Sequence, residues 1–167
     1  MGTNTHAAPS LALYHANARR SGSAIRFDLH AAAGNVVDVE GFIRLTIAPQ
    51  DDSEEAFYPR FKWVGAPAVS LHFLDVCEFL RVFRGDCESI ADGRGLWHIT
   101  PTHSTTANIR HVVEPVEAFE VELVNHGLGD SREIMTTARF LLTPSEAMGV
   151  AAVFEHSLSV IAFGRNA

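Results

Sequence analysis

The sequence predicts an α+β fold of two β4α halves, each a four-stranded antiparallel sheet followed by a helix, with the helices forming an oligomer core. Two observations carry this. Strand-like runs with apolar and polar residues alternating at period two come in two groups of four, and each group ends in an apolar stretch with helical start signals. Those starts are Leu74-Asp75-Val76-Cys77-Glu78 and Leu142-Thr143-Pro144-Ser145-Glu146. In each, a short oxygen-bearing side chain at the cap and a Glu three residues later satisfy amide donors that a helix start leaves unpaired, and Pro144 adds the residue favoured at the first helical position. Residues 1–10 are expected to be a flexible N-terminus and 11–167 a single domain, with halves of about 11–95 and 96–167.

Taken in order, residues 11–18 form the first predicted strand and Arg19-Arg20-Ser21-Gly22-Ser23 its turn. From Ala24 to His30, Ile25, Phe27 and Leu29 point one way and Arg26, Asp28 and His30 the other. Residues 36–48 alternate again, with Val37, Val39, Ile43, Leu45 and Ile47 inward and Asp38, Glu40, Phe42, Arg44 and Thr46 outward. The acidic tract Asp51-Asp52-Ser53-Glu54-Glu55 is a loop before a fourth strand over 61–73, interrupted by Gly65 and Pro67. A first helix is expected over 76–83, with Leu74 packing onto Phe79 and Gly85 ending it.

Residues 86–95 are a polar connector with room for one helical turn, and strands resume at 96–100, 105–113, 119–126 and 133–142, the last two joined by a turn at Gly127–Asp130. The closing helix, from Pro144 to about Phe163, is apolar nearly all round, so burial on more than one side is expected, with a second subunit as the further cover. Val150, Phe154, Leu158 and Ile161 are its expected interface residues.

A chain of 167 residues, 47% hydrophobic, can bury a sizeable core. Its net charge of -7 argues against a partner held by bulk positive charge alone. The cations are unevenly placed: through Lys62 there are six (Arg19, Arg20, Arg26, Arg44, Arg60, Lys62) against seven acidic residues, while the remainder has seven against thirteen. A polyanion site therefore belongs on the first half. All but one of the cations are Arg, which can stack on a ring and grip a phosphate with two donors.

Cys77 and Cys87 lack the paired spacing of a zinc site or disulfide framework, so a reducing, cytoplasmic setting is expected. The first ten residues have no targeting pattern, and no segment reads as a membrane span. There is no Gly-x-Ser-x-Gly elbow, no Cys beside a His and no phosphate-cradling loop, so no catalytic residue, metal or cofactor is expected. His98 and His103 are the nearest approach to a ligand pair among the nine histidines, and they define the rival expectation of a small-ligand binder or enzyme.

The run Gly41-Phe42-Ile43-Arg44-Leu45-Thr46-Ile47-Ala48-Pro49 resembles the third-strand segment of Whirly-type single-stranded DNA-binding proteins, with Trp63 in the place of the family's following Trp. The resemblance continues at Glu78-Phe79-Leu80, at Thr143-Pro144-Ser145-Glu146 and at Ile161-Ala162-Phe163-Gly164, covering nearly the whole chain through order and spacing. Where plant members carry Lys-Gly-Lys-Ala-Ala-Leu, linked to higher-order assembly, this chain has Ser21-Gly22-Ser23-Ala24-Ile25-Arg26, without either lysine. The resemblance implies two roughly perpendicular sheets, a homo-oligomer (tetramer or dimer) built through the helices, and single-stranded DNA or RNA as partner. A module of the same fold that binds RNA or protein and not DNA is the alternative.

Candidate contacts follow from residue type. Phe42 beside Arg44 is either a stacking platform for bases or a cross-strand surface pair. Trp63 and Trp97 are either stacking residues or core and interface residues with one exposed edge, and Tyr14 is a weaker candidate. Arg19 and Arg20 near Arg26, Arg60 with Lys62, and Arg110 with Asn108 either track a phosphate path or only solvate their turns and strands.

Overall fold

A computed structural model describes residues 8–32, 40–53, 58–127 and 134–164. The expectations for residues 1–7, for Val37, Asp38 and Val39, for Glu54-Glu55 and for 128–133 lie outside the described residues. The first half contains β1 (Ser10–His15), β2 (Ser23–His30), β3 (Phe42–Pro49), β4 (Ala68–Leu71) and α1 (Phe73–Phe83). A short 3-10 turn (Ile90–Gly93) leads into β5 (Leu96–Ile99), β6 (Ser104–Val112), β7 (Ala118–His126), β8 (Ile134–Leu142) and α2 (Pro144–Phe163). Each group of four strands forms its own antiparallel sheet in chain order, so the chain is written as two β4α halves.

Alternation places the core. Ile25 and Phe27 on β2 pair with Ile47 and Leu45 on β3, and all four are buried on one face. In the second sheet Ala107, Ile109, Val121, Leu123, Phe140 and Leu142 do the same, and the two faces share one continuous core with both helices. Phe154 is its hub, with ring centroids 5.4 Å from Phe27, 6.0 Å from Phe79 and 6.2 Å from Phe83. A second clasp joins the halves at β1, where His15 stacks on Phe140 at 4.4 Å and meets the Glu146 carboxylate at 2.8 Å. Burial works against the charged form of Glu146, but hydrogen bonds from the Thr143 N–H, from His15 and from the Thr143 hydroxyl outweigh it and hold the carboxyl below its ordinary value.

Helix α2 begins as its sequence dictates, with Thr143 Oγ1 accepting from the Glu146 N–H at 3.3 Å and Glu146 Oε2 accepting from the Thr143 N–H at 2.8 Å. Helix α1 does not. It starts three residues earlier than the sequence suggests, because Asp75 sits inside the first turn and its carboxylate accepts from the His72 N–H at 2.9 Å, making His72 the cap. Leu74 is consequently 74% exposed and packs no staple. The fourth strand is also shorter than expected. Gly65 with φ +75 and the donor-less Pro67 confine it to Ala68–Leu71, and Phe61 meets Gln50 only in an isolated bridge.

The interface expectation for α2 needs correction. Val150, Phe154 and Ile161 are buried in the protomer's own core with Ala147 and Ser157, a single stripe at i, i+3, i+4 spacing, and Leu158 is half-buried against it. The large apolar side chains that α2 presents outward are Met148, Val153 and Phe163. By length and composition this helix would also suffice to cross a membrane, which corrects the expectation that no segment would. Its stripe instead packs into the core, and its Glu155 pairs at 2.8 Å with Arg84, the C-cap of α1.

Candidate nucleic-acid interface

The outer face of the first sheet gathers most of the predicted residues. The β2–β3 register sets Arg26 opposite Thr46, Asp28 opposite Arg44 and His30 opposite Phe42, all pointing away from the core. The chain from Phe61 to Pro67 then folds against this sheet: the Lys62 N–H donates to the Pro49 carbonyl at 2.9 Å and the Ile47 N–H to the Pro67 carbonyl at 3.1 Å. Trp63 thereby comes under the Arg26 guanidinium, 4.7 Å from ring centroid to Cζ, within cation–π range. Tyr14 on β1 lies edge-on to Trp63 at 6.5 Å and tilted to Phe61 at 5.4 Å. The result is an aromatic cluster, half-exposed, with a guanidinium laid on it.

Thr46 is 4% exposed, which corrects its assignment to the solvated face: Ala24, Thr46 and Ala48 are all closed over at the end of the sheet that this segment covers. At the other end Phe42 is a half-buried ring, stacked on His30 at 4.5 Å and 18° and tilted to His72 at 5.9 Å. Glu40 lies 3.7 Å from His72 Nδ1. Of the two expectations for Phe42, the geometry matches the cross-strand pair, with two imidazoles on its flanks. Arg44 is exposed and, among the described residues, makes no ion pair; Arg26 donates to Asp28 at 3.0 Å.

The remaining cations of the first half differ in freedom. Arg19 is exposed in the β1–β2 turn, and Arg20, at φ +56, donates to the Asp52 carbonyl at 2.9 Å. Arg60 and Lys62 do not share a strand face, because the segment that holds them is irregular. Lys62 is held by Asp52 and by Asp51 at 3.7 Å, and its hydrogen bond to Asp52 raises its pKa, with the charges of the two carboxylates adding to that. Its charge is locally compensated.

The second sheet presents a different outer face. Trp97 is 43% exposed and stacks on His126 at 4.8 Å, and His126 in turn meets the Thr106 hydroxyl at 3.1 Å. Arg110 lies directly opposite Glu120 on β7 and binds it at 2.6 Å, while Arg139 on β8 is opposite Glu122 and binds that carboxylate. Asn108 donates to the Gly93 carbonyl at 3.0 Å. Asn108 and Arg110 are thus committed to neighbours, as their strand positions alone could not reveal. His98 faces Asp75 at 3.6 Å beside α1, and His103 closes the β5–β6 turn with Thr100 and Thr102. They form no common site, and no group of three or more metal-ligating side chains occurs among the described residues.

Sequence reasoning missed Phe61, His30 and His72 as neighbours of the site, and gave Tyr14 too little weight. Phe61 and Trp63 at i, i+2 were a usable signal, whereas His72 reaches Phe42 only through the β3–β4 pairing.

Two sheets in chain order, each followed by a helix, with rings and arginines on an outer face, define a β4α-repeat protein. Solved structures specify the type: the chain has the Whirly-type fold. It is similar to WHY3 of Arabidopsis thaliana at 12% identity and TM-score 0.71, over 92% of this chain and 88% of that one. WHY1 of the same plant matches at 13% and TM-score 0.71 over 96% and 88%, and the plant transcriptional regulator PBF-2 at 10% and 0.70 over 95% and 84%. No protein-family model and no curated protein matches the sequence.

Proposed function

We propose that the chain binds single-stranded nucleic acid, most naturally DNA, with little sequence preference, on the outer face of its first sheet. The observation that carries this is the Arg26–Trp63–Tyr14–Phe61 cluster beside an exposed Arg44 without an ion pair among the described residues. Exposed rings offer π faces that any unpaired base can stack on, and guanidinium groups track the backbone between them. The mechanism involves no covalent step. The Whirly-type fold of the similar structures supports the same direction, and the reducing cytoplasm suits two free thiols.

The working form is a homo-oligomer, dimer or tetramer, that covers Met148, Val153 and Phe163 of α2 with a second copy of the chain. Sedimentation showing a monomer would contradict this part. A specific observation favours a second reading, a protein-interaction module: every Arg described on the second sheet's outer face is paired with a carboxylate. Titration of a labelled strand of about 30 nucleotides against the same sequence as duplex separates the two, because stacking needs unpaired bases. Preference for the single strand supports the proposal, and equal or absent binding overturns it.

A further inference from the structure

The second sheet's outer face holds a cleft of about 340 Å³, at the small end of ligand sites, which run to roughly 300–1,000 Å³. Its edge is a strained turn. Ala91 (φ 48, ψ 44) and Asp92 (φ 53, ψ 40) are consecutive left-handed residues without being glycine, a conformation that persists only when its surroundings hold it and that clusters at ligand clamps. Here the surroundings are the Asn108 amide donating to the Gly93 carbonyl, the Arg94 guanidinium donating to the Ala91 carbonyl at 3.1 Å, and the buried Ile90.

The functional groups in the cleft select against phosphate. Arg110 gives its Nε and Nη2 to Glu120, and Arg139 gives its Nε to Glu122, so neither guanidinium carries uncompensated charge. Glu88 lines the same cleft and, among the described residues, makes no ion pair, leaving three carboxylates against two guanidinium groups. Among the described residues the two Nη groups of Arg139 make no hydrogen bond, and Asn108 Oδ1 is buried with no partner. These groups suit an uncharged ligand with adjacent donors on one edge, for Glu88 and Asn108 Oδ1, and a pair of acceptors on another, for Arg139.

We infer that this cleft takes a single guanine base of the bound strand, an inference that rests on the single-strand reading above. Guanine N1–H and N2–H₂ form adjacent donors for the Glu88 carboxylate, and its O6 and N7 are the acceptor pair that an Arg fork matches. Adenine and cytosine each place an acceptor beside their amino group and would turn a lone pair toward Glu88. The route is continuous with the first sheet, since Arg139 also lines a second cleft of about 400 Å³ with Lys62, Gly65 and Ser21.

The test uses fluorescence anisotropy on the whole chain, with a labelled oligothymidine strand and the same strand carrying one central dG, one dI or one dA. The dG strand should bind about tenfold more tightly than oligothymidine, the discrimination expected of one bidentate base contact; dI, which keeps N1–H, O6 and N7 but lacks the N2 amino group, should gain less than dG, and dA should gain little. Glu88→Gln, at an exposed position, should keep the oligothymidine affinity and lose the dG gain. Equal affinity for the dG and oligothymidine strands, or a gain that survives Glu88→Gln, overturns the pocket and leaves the single-strand reading intact. Failure of oligothymidine to bind overturns that reading instead. The pocket is then decided by titrating guanosine alone: saturable amide shifts at Gly93 and Asn108 support it, and their absence overturns it.

Discussion

The two sheets share strand order and topology, yet their outer faces are chemically opposite. On the first, Asp28 is drawn along its own strand to Arg26, leaving Arg44 across the ladder exposed beside the rings. On the second, the register sets Glu120 opposite Arg110 and Glu122 opposite Arg139, and each pair closes on itself. Repetition of a backbone therefore does not repeat a function. Which residues lie opposite one another decides whether a cation is available to a phosphate or spent within the protein.

Both faces rest on one core, and Phe154→Ala tests this with the largest expected effect. Loss of the ring that touches Phe27, Phe79 and Phe83 should cost about 3–5 kcal/mol and lower the stability of both halves in one transition. Denaturant unfolding followed by tryptophan fluorescence checks this, since Trp63 and Trp97 report on different sheets. Two separated transitions would mean that the sheets fold independently.

The tryptophans themselves sharpen the contrast next. Trp63→Ala should weaken single-strand binding by about 1–3 kcal/mol, the value of one stacked base, and Trp97→Ala should weaken binding to an oligothymidine strand much less. Fluorescence anisotropy on both variants measures this directly. A smaller effect comes from charge. Arg44→Ala should reduce the slope of log affinity against log salt by about 0.7, one phosphate contact on a single strand, whereas Arg110→Ala should leave the slope unchanged because its charge is already matched by Glu120.

Much of this was legible in the sequence where the signal is local. Period-two alternation located β2, β3 and β7, and the Thr143–Glu146 box fixed the start of α2. Asp75 misled because a carboxylate suits both the cap and the third helical position, and only the His72 N–H in front of it shows which position it occupies. Phe42 could not be seen as half-buried, because its neighbours His30 and His72 belong to another strand and to the cap of α1. The Arg110–Glu120 pair likewise exists only once the β6–β7 register is known. Val150, Phe154 and Ile161 belong to the core and not to an interface, a distinction hidden from the sequence because an apolar residue on a helix does not announce on which side the core lies.

The smallest effect concerns the clasp between halves. Because the Glu146 carboxyl titrates below its ordinary value of 4.5 in the folded protein, it contributes stability that is present above that pH and is lost as pH falls through the lowered folded value. Thermal melts of the wild type and of Glu146→Gln should therefore differ at neutral pH and converge under acid. Curves that stay parallel would place the clasp's contribution elsewhere.

The asymmetry of the two faces is tested most directly by one paired measurement on an oligothymidine strand of about 30 nucleotides: affinity after Arg44→Ala with Trp63→Ala, against affinity after Arg110→Ala with Trp97→Ala. The first pair should weaken binding by about tenfold or more, and the second should stay within about twofold of the unmodified chain, with folded mass and melting temperature followed on both. Equal losses from the two pairs, or the larger loss from the second, would contradict the assignment of the strand to the first sheet.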